Sequence, residues 1–125
     1  MVEAPYAPYS GMGAMRALLE LPYPPTAVFA FNDHIAVDAA RAAMERGLKI
    51  PGDIAIAGFD NIPSSLITFP TITTVHQPKK KLGMRAIEIL AAQINSTSTP
   101  PPSRVVVSVQ LIVRSPTVRD LPIGH

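Results

Sequence analysis

The chain reads as an α/β domain, a parallel β-sheet flanked by helices. Short apolar runs end abruptly in polar residues, segments with helical apolar spacing lie between them, and the connections are short. A strand–helix–strand order of this kind feeds a parallel sheet, because the crossover helix packs back over the strands it joins.

The elements follow in order. Residues 1–10 form an irregular N-terminal segment with prolines between tyrosines. Ser10 is placed to cap a first helix reaching about Leu21, whose apolar face is Met12, Met15, Leu18 and Leu19. Pro22, Pro24 and Pro25 stop it. Ala27 to Phe31 is an unbroken apolar run, the pattern of a strand buried on both faces. Asn32 or Asp33 then caps a helix from about Asp33 to Arg46, where Ala36, Ala39, Ala40, Ala43 and Met44 favour close packing. Gly47 suits the position just past its end. Pro51–Gly52 marks a turn. Ile54 to Phe59 is a second buried strand, ended by Asp60. A loop rich in Pro, Ser and Thr spans 61–71, and Ile72 to Val75 is a third strand. Pro78 suits the first turn of a helix from about Lys79 to Asn95, which puts Gln77 at its N-cap. Leu82, Ala86, Ile89, Leu90 and Ile94 form its apolar stripe. Residues 95–103 read as a linker. Arg104 to Arg114, dense in β-branched residues, reads as a long strand before a tail over 116–125.

Composition narrows the function classes. Hydrophobic residues make up 47% of the 125 and charged residues 16%. Charges are fewer than the usual quarter of a soluble domain, so some apolar surface is expected to be covered by something else. The formal net charge is +2. The only basic run, Lys79–Lys80–Lys81, is too short for a nucleic-acid footprint and reads as a solvated helix turn. The absence of cysteine excludes disulfides, thiolate metal sites and cysteine nucleophiles, and fits a cytoplasmic setting. No apolar run approaches the roughly 18 residues that span a bilayer, so no membrane partner is expected.

Catalytic motifs are missing. Gly11–Met12–Gly13 lacks a preceding strand, and Arg16 stands where a dinucleotide loop needs its third glycine. His34 and His76 have no second ligand at helical spacing, so no metal site is expected, and a surface or loop histidine is the plainer reading. Asp33 and Asp38 are about 500° apart on a helix and do not form a carboxylate pair. No cofactor and no enzymatic role are expected.

Asn32, Asp60 and Gln77 carry the positive signal. Each directly follows a strand or lies just beyond one, at the carboxyl edge where open parallel sheets bind ligands. A carboxylate accepts from hydroxyl or ring N–H groups, and the two amides both donate and accept, a set suited to a neutral polar ligand. The same residues serve equally well as a helix cap (Asn32) and a turn former (Asp60). Spacing alone does not separate the two readings.

Several blocks, in order, resemble the LacI/GalR family of bacterial transcriptional regulators: Pro25–Thr26–Ala27–Val28–Phe29–Ala30–Phe31–Asn32–Asp33, Ala36, Gly47–Leu48–Lys49–Ile50–Pro51, Gly58–Phe59–Asp60–Asn61, Pro70, Thr73–Thr74–Val75 with Gln77–Pro78, Leu82–Gly83, and Leu111–Ile112–Val113–Arg114. The resemblance covers roughly residues 9–115. It implies a three-layer, Rossmann-like half of a periplasmic-binding-protein-like fold. On that reading residues 11–78 are the C-terminal subdomain of an effector-binding domain, 79–103 a helix and linker belonging to the N-terminal subdomain, and 104–115 a strand returning to the C-terminal one. Asn32 and Asp60 would contact a small-molecule effector, a sugar or related metabolite, with Gln77 at the crossover beside it. The helix after Asp33 and the loop from Pro63 would form a homodimer interface, with Val37, Arg41, Pro63, Thr68 and Phe69 as candidates. Operator DNA would be reached only through an N-terminal domain that this sequence does not contain, so the chain reads as a C-terminal fragment with one wall of a cleft. Without its usual cover, the stripe on the last helix is expected to fold back on the sheet or to pack against another copy. A periplasmic sugar-binding transport protein is the alternative of similar fold, but the Leu48–Asp53 connection and the Asp60–Pro63 loop look more like the regulators. An α/β enzyme comes third, for want of a nucleophile or base.

Overall fold

A computed structural model describes residues 1–3, 7, 9–67, 70–98, 101–102 and 104–114. The elements are α1 (Ser10–Leu19), β1 (Ala27–Phe29), α2 (Asp33–Glu45), β2 (Ala55–Phe59), α3 (Ser64–Ile67), β3 (Thr73–His76), α4 (Lys79–Ile94) and β4 (Gln110–Ile112). The strands form one sheet in the order β1-β2-β3-β4. The first three are parallel, and β4 returns antiparallel to β3. The α/β class therefore stands, with a mixed sheet rather than an all-parallel one.

The alternation of side chains along β2 organises the core. Ile54, Ile56 and Gly58 are buried, whereas Ala55, Ala57 and Phe59 are half-buried. The buried set meets α2, whose Ala36, Ala39, Ala40, Ala42 and Ala43 are all nearly inaccessible. Small side chains let this helix lie close on the sheet. Gly58 marks the closest approach: a Cβ there would sit 2.4 Å from Asp33 Oδ1 and 3.0 Å from Ala36 Cβ. The crossing of α1 over α2 is similarly tight at Gly11, where a Cβ would lie 2.5 Å from the Ile35 carbonyl oxygen. Met15 of α1 is fully buried, and Met12, Leu18 and Leu19 pack around it as the apolar spacing requires. At the surface, Arg16–Glu45 (2.9 Å) and Arg46–Glu20 (2.8 Å) tie α1 to α2. Exposed pairs of this kind contribute little beside the buried contacts.

Helix ends follow the expected chemistry only in part. Past α2, Gly47 has φ +76°, its N–H donates to the Met44 carbonyl, and the Leu48 N–H donates to that of Ala43 (3.1 Å). These two bonds form a Schellman motif, which satisfies carbonyls that the helix leaves open. Ser10, in contrast, does not cap α1. It is the first helical residue, and Tyr9 occupies the cap position with φ 62° and no side-chain hydrogen bond.

Three expectations about burial and extent are corrected. Strand β1 is not buried on both faces: it lies at the sheet edge, and Phe29 is 65% exposed. Helices α1 and α2 cover one face of the sheet, while Phe29 and Leu111, on the opposite side by register, remain open among the described residues. The last strand is three residues long rather than eleven. Its partner β3 has only four residues, and a strand extends only where a neighbour supplies backbone partners.

Helix α4 does not fold back on the sheet. None of its residues is buried, and Leu82, Leu90 and Ile94 all face solvent. The β4 register explains this. Gln110 pairs with His76 at the carboxyl end of β3, so residues 104–109 lie beyond that edge, alongside α4, where Val105, Val106 and Val107 share a concavity with Met84 and Arg85. The two segments form an arm that extends past the sheet. Leaving such apolar side chains in water forfeits roughly 1.5–3 kcal/mol each.

The packing at Gly58 gives a direct test. Gly58→Ala should destabilise the chain by about 1–3 kcal/mol, because neither the α2 backbone nor the Asp33 carboxylate has room to retreat. Chemical denaturation followed by circular dichroism measures this.

Candidate functional site

Parallel pairing places the carboxyl ends of β1, β2 and β3 side by side, and with them Asn32, Asp60 and Gln77. The structure brings two of the three together. The Gln77 amide donates through Nε2 to Asp60 Oδ1 at 2.5 Å. The Asp60 N–H donates to the Val75 carbonyl (3.0 Å), continuing the β2–β3 ladder, and the Lys79 ammonium donates to the Asp60 carbonyl oxygen. Lys79 is thus part of the site edge as well as of a solvated turn. Gln77 does not cap α4; Pro78 holds that position, and no side-chain cap bond forms.

Asn32 is the N-cap of α2. Its Oδ1 accepts from the Ile35 N–H at 2.9 Å, and the residue is 6% exposed. The capping role consumes the amide oxygen and leaves the amide nitrogen for other partners. Asn32 also lines a cavity of about 400 Å³ with Tyr9, His34, Ile35 and Ser64. Gln77 lines a different concavity beside α4. The three residues share an edge, but Asn32 and Gln77 line separate concavities.

The residue that sequence reasoning missed is Asp33. It is fully buried, with Oδ1 accepting from Thr74 Oγ1 (2.5 Å) and Oδ2 from the Ile62 N–H (3.0 Å). Thr74 Oγ1 in turn accepts from the Asn61 N–H (3.2 Å). One carboxylate therefore joins the start of α2, the loop after β2 and the middle of β3. Removing a carboxyl group from water is tolerable only with such partners. Gly58 leaves the space in which this carboxylate sits.

Asp60 and Asn61 both have positive φ, 101° and 50°. Non-glycine residues occupy this region at a cost of order 1–3 kcal/mol, and such conformations cluster at functional sites. At the β1 end, Phe29 and Phe31 expose 65% and 80% of their surface and line a concavity with Met15 and Leu18 of α1. Exposed rings beside polar groups offer stacking faces for planar or ring-shaped ligands. The apolar run hid both rings, because a run of this kind is normally read as core.

The interface candidates lie on the surface of α2 and in the loop that follows β2. Val37 and Arg41 of α2 line a surface concavity with Met44 and Pro70, and Pro63 is exposed. Thr68 and Phe69 lie outside the described residues, as does the tail over 116–125. No described helix is long and apolar enough to cross a membrane.

Two substitutions separate a cap from a buried hub. Asn32→Ala should cost about 1 kcal/mol, the usual price of an N-cap, and Asn32→Ser should restore most of it. Asp33→Asn should cost about 1–3 kcal/mol, since an amide nitrogen then faces either the Ile62 N–H or the Thr74 hydroxyl. Urea unfolding midpoints at a common slope compare them.

Comparison with known proteins agrees with this geometry. Residues 2–117 match the family model of the periplasmic binding protein-like domain. The HTH-type transcriptional repressor PurR of Actinobacillus pleuropneumoniae serotype 3 is 41% identical over 120 residues, covering 95% of this chain and 35% of that protein. The chain thus spans about a third of the length of the curated relatives it matches. Among solved structures, the transcriptional regulator CelR in complex with cellobiose superposes with a TM-score of 0.82 at 32% identity, over 89% of this chain and 34% of that one. A LacI family transcriptional regulator from Arthrobacter, in complex with lactose, gives a TM-score of 0.80 at 26% identity, over 94% and 44%. The chain belongs to the periplasmic-binding-protein-like domain family, in the form carried by LacI-type transcriptional regulators, and corresponds to part of their effector domain.

Proposed function

We propose that this chain forms one wall of the effector cleft of a LacI-type transcriptional regulator and that it recognises a neutral, polyhydroxylated small molecule. The observation that carries the reading is the Asp60–Gln77 pair, held in a left-handed turn at the carboxyl edge and left half-exposed. Asp60 Oδ1 is engaged by Gln77, and Oδ2 is placed to accept from a ligand hydroxyl. The Asn32 amide nitrogen adds a donor, and Phe29 and Phe31 add apolar faces for a sugar or nucleobase ring. No group here is set up as a nucleophile with a paired base, which supports binding without turnover.

Relatives solved with cellobiose and with lactose support a sugar as the ligand class. Relatives named as repressors support regulation over transport, and with it a cytoplasmic place of action. On this reading α4 and the following linker pack on the other half of the cleft, which explains an apolar stripe with no cover in this chain. Homodimerisation would use Val37 and Arg41 on α2 together with the loop from Pro63 through Thr68 and Phe69. Operator DNA would be contacted only by a separate domain. Ligand binding would favour one closure of the two halves and so bias DNA affinity.

A thermal-shift screen of the full-length protein against cellobiose, lactose and purine bases tests the proposal. A ligand at 100 times its dissociation constant stabilises by roughly 2.7 kcal/mol, a rise of a few degrees in Tm. Asp60→Ala should abolish that rise. A shift that survives Asp60→Ala removes Asp60 from the site.

A further inference from the structure

We infer that Arg114, two residues past the last strand, is a positioning residue that latches the Asp60–Asn61 turn in its left-handed conformation. Its side chain reaches across three elements. Nη2 donates to Asn61 Oδ1 at 2.8 Å. Nη1 donates to Ser65 Oγ at 3.0 Å and to the Ile72 carbonyl oxygen at 2.6 Å. Ser65 is fully buried, and its hydroxyl donates a hydrogen bond to the Ile62 carbonyl (2.7 Å). The guanidinium therefore grips both ends of the loop that follows Asp60. The planar fork of arginine meets these acceptors at once, which a lysine ammonium cannot do with equal reach.

The backbone of Arg114 is anchored separately. Its N–H donates to Thr73 Oγ1 (2.7 Å), and the Thr73 hydroxyl donates back to the Arg114 carbonyl (3.0 Å). Strand placement and loop grip thus use different atoms of one residue, so they are separable by experiment.

The Asn61 side chain reports the latch. Because Arg114 donates to Oδ1, the amide nitrogen must face the other way, where it lies 3.2 Å from His76 Nδ1. An N–H donor there requires Nδ1 to be the acceptor, with the ring proton on Nε2. Arg114 therefore sets the tautomer of His76 through Asn61, although neither residue is its neighbour in sequence. Asn61 and Arg114 are 53 positions apart. The same chain of contacts fixes φ at Asn61 and, through the shared peptide, the direction in which Asp60 projects. Docking of β4 and the pose of Asp60 become one event.

The consequence for recognition rests on Asp60 being a ligand contact. The measurements below need no ligand, so a failure of that reading leaves them standing, and their failure leaves that reading standing. Amide hydrogen exchange and imidazole nitrogen resonances are recorded on the chain and on Arg114→Lys and Arg114→Ala. Both variants should raise exchange at Asn61 and Ile62 by at least roughly tenfold, the scale of one lost charge-assisted hydrogen bond. Exchange at β2 and at Gln110–Ile112 should stay unchanged. The His76 resonances should move from a single Nε2–H form to a tautomer mixture, and Arg114→Lys should not rescue them. Unchanged Asn61, Ile62 and His76 signals in both variants overturn the inference. So does a rise in exchange spread evenly over the sheet, which would make Arg114 a general support. If Arg114→Ala fails to fold, Arg114→Lys and Asn61→Ala decide, the latter being expected to release His76 with β4 still paired.

Discussion

The buried carboxylate of Asp33 is the constraint on which the rest of the arrangement depends. A carboxyl group with no access to water must be satisfied inside the protein, and here the partners come from two distant parts of the chain, the loop after β2 and strand β3. Thr74 must present its hydroxyl from the middle of β3, the loop after β2 must turn back to present the Ile62 N–H, and residue 58 must lack a side chain. Each requirement fixes an element relative to α2. The apolar contacts of the alanine-rich helix supply most of the stabilisation, but they tolerate sliding. The hydrogen bonds to Asp33 do not, since they fail within a few tenths of an ångström. They set the register in which the carboxyl edge is assembled.

Much of the fold was legible because local signals agreed. Apolar runs ended in Asn32 and Asp60, Gly47 closed α2, and the alanines of α2 forecast its close packing. The placement of Asn32, Asp60 and Gln77 on one edge followed from parallel topology alone. The roles within that edge were not legible. Asn32 proved to be the cap that spacing had left as one of two options, while Gln77 left the cap position for Asp60. Asp33 and Thr74 stand 41 residues apart, and no local pattern links them. Arg114 looked like the end of a strand, and its side-chain acceptors among the described residues come from the β2–β3 segment.

The errors over burial share a cause. Periodicity states what a segment would bury if a neighbour were available; it does not supply the neighbour. Phe29 and Phe31 read as core because they are apolar and consecutive with Val28, yet β1 stands at the sheet edge with one face open. Arg104 to Arg114 has the composition of a long strand, yet only Gln110–Ile112 finds a ladder. The stripe on α4 is amphipathic in sequence and solvated in the structure, because the crossover and the returning segment carry the helix beyond the sheet. In each case no described residue supplies the partner that the pattern anticipates.

The backbone of the arm made by α4 and residues 104–109 joins the body at two adjacent strand ends, His76 of β3 and Gln110 of β4, which are paired partners, and the Lys79 side chain adds a contact to the Asp60 carbonyl oxygen at the base of α4. Two anchorage points define a line. A body tethered in this way resists translation and resists rotation about every axis except the one through the tethers. Anything packed on α4 therefore meets the sheet across a narrow neck, and the axis of least restraint in this geometry runs past His76 and the Gln77–Pro78 crossover. Small angular changes at that axis become large displacements at Ile94, sixteen helical residues away. The antiparallel return of a three-residue strand thus gives the arm a narrow and defined base.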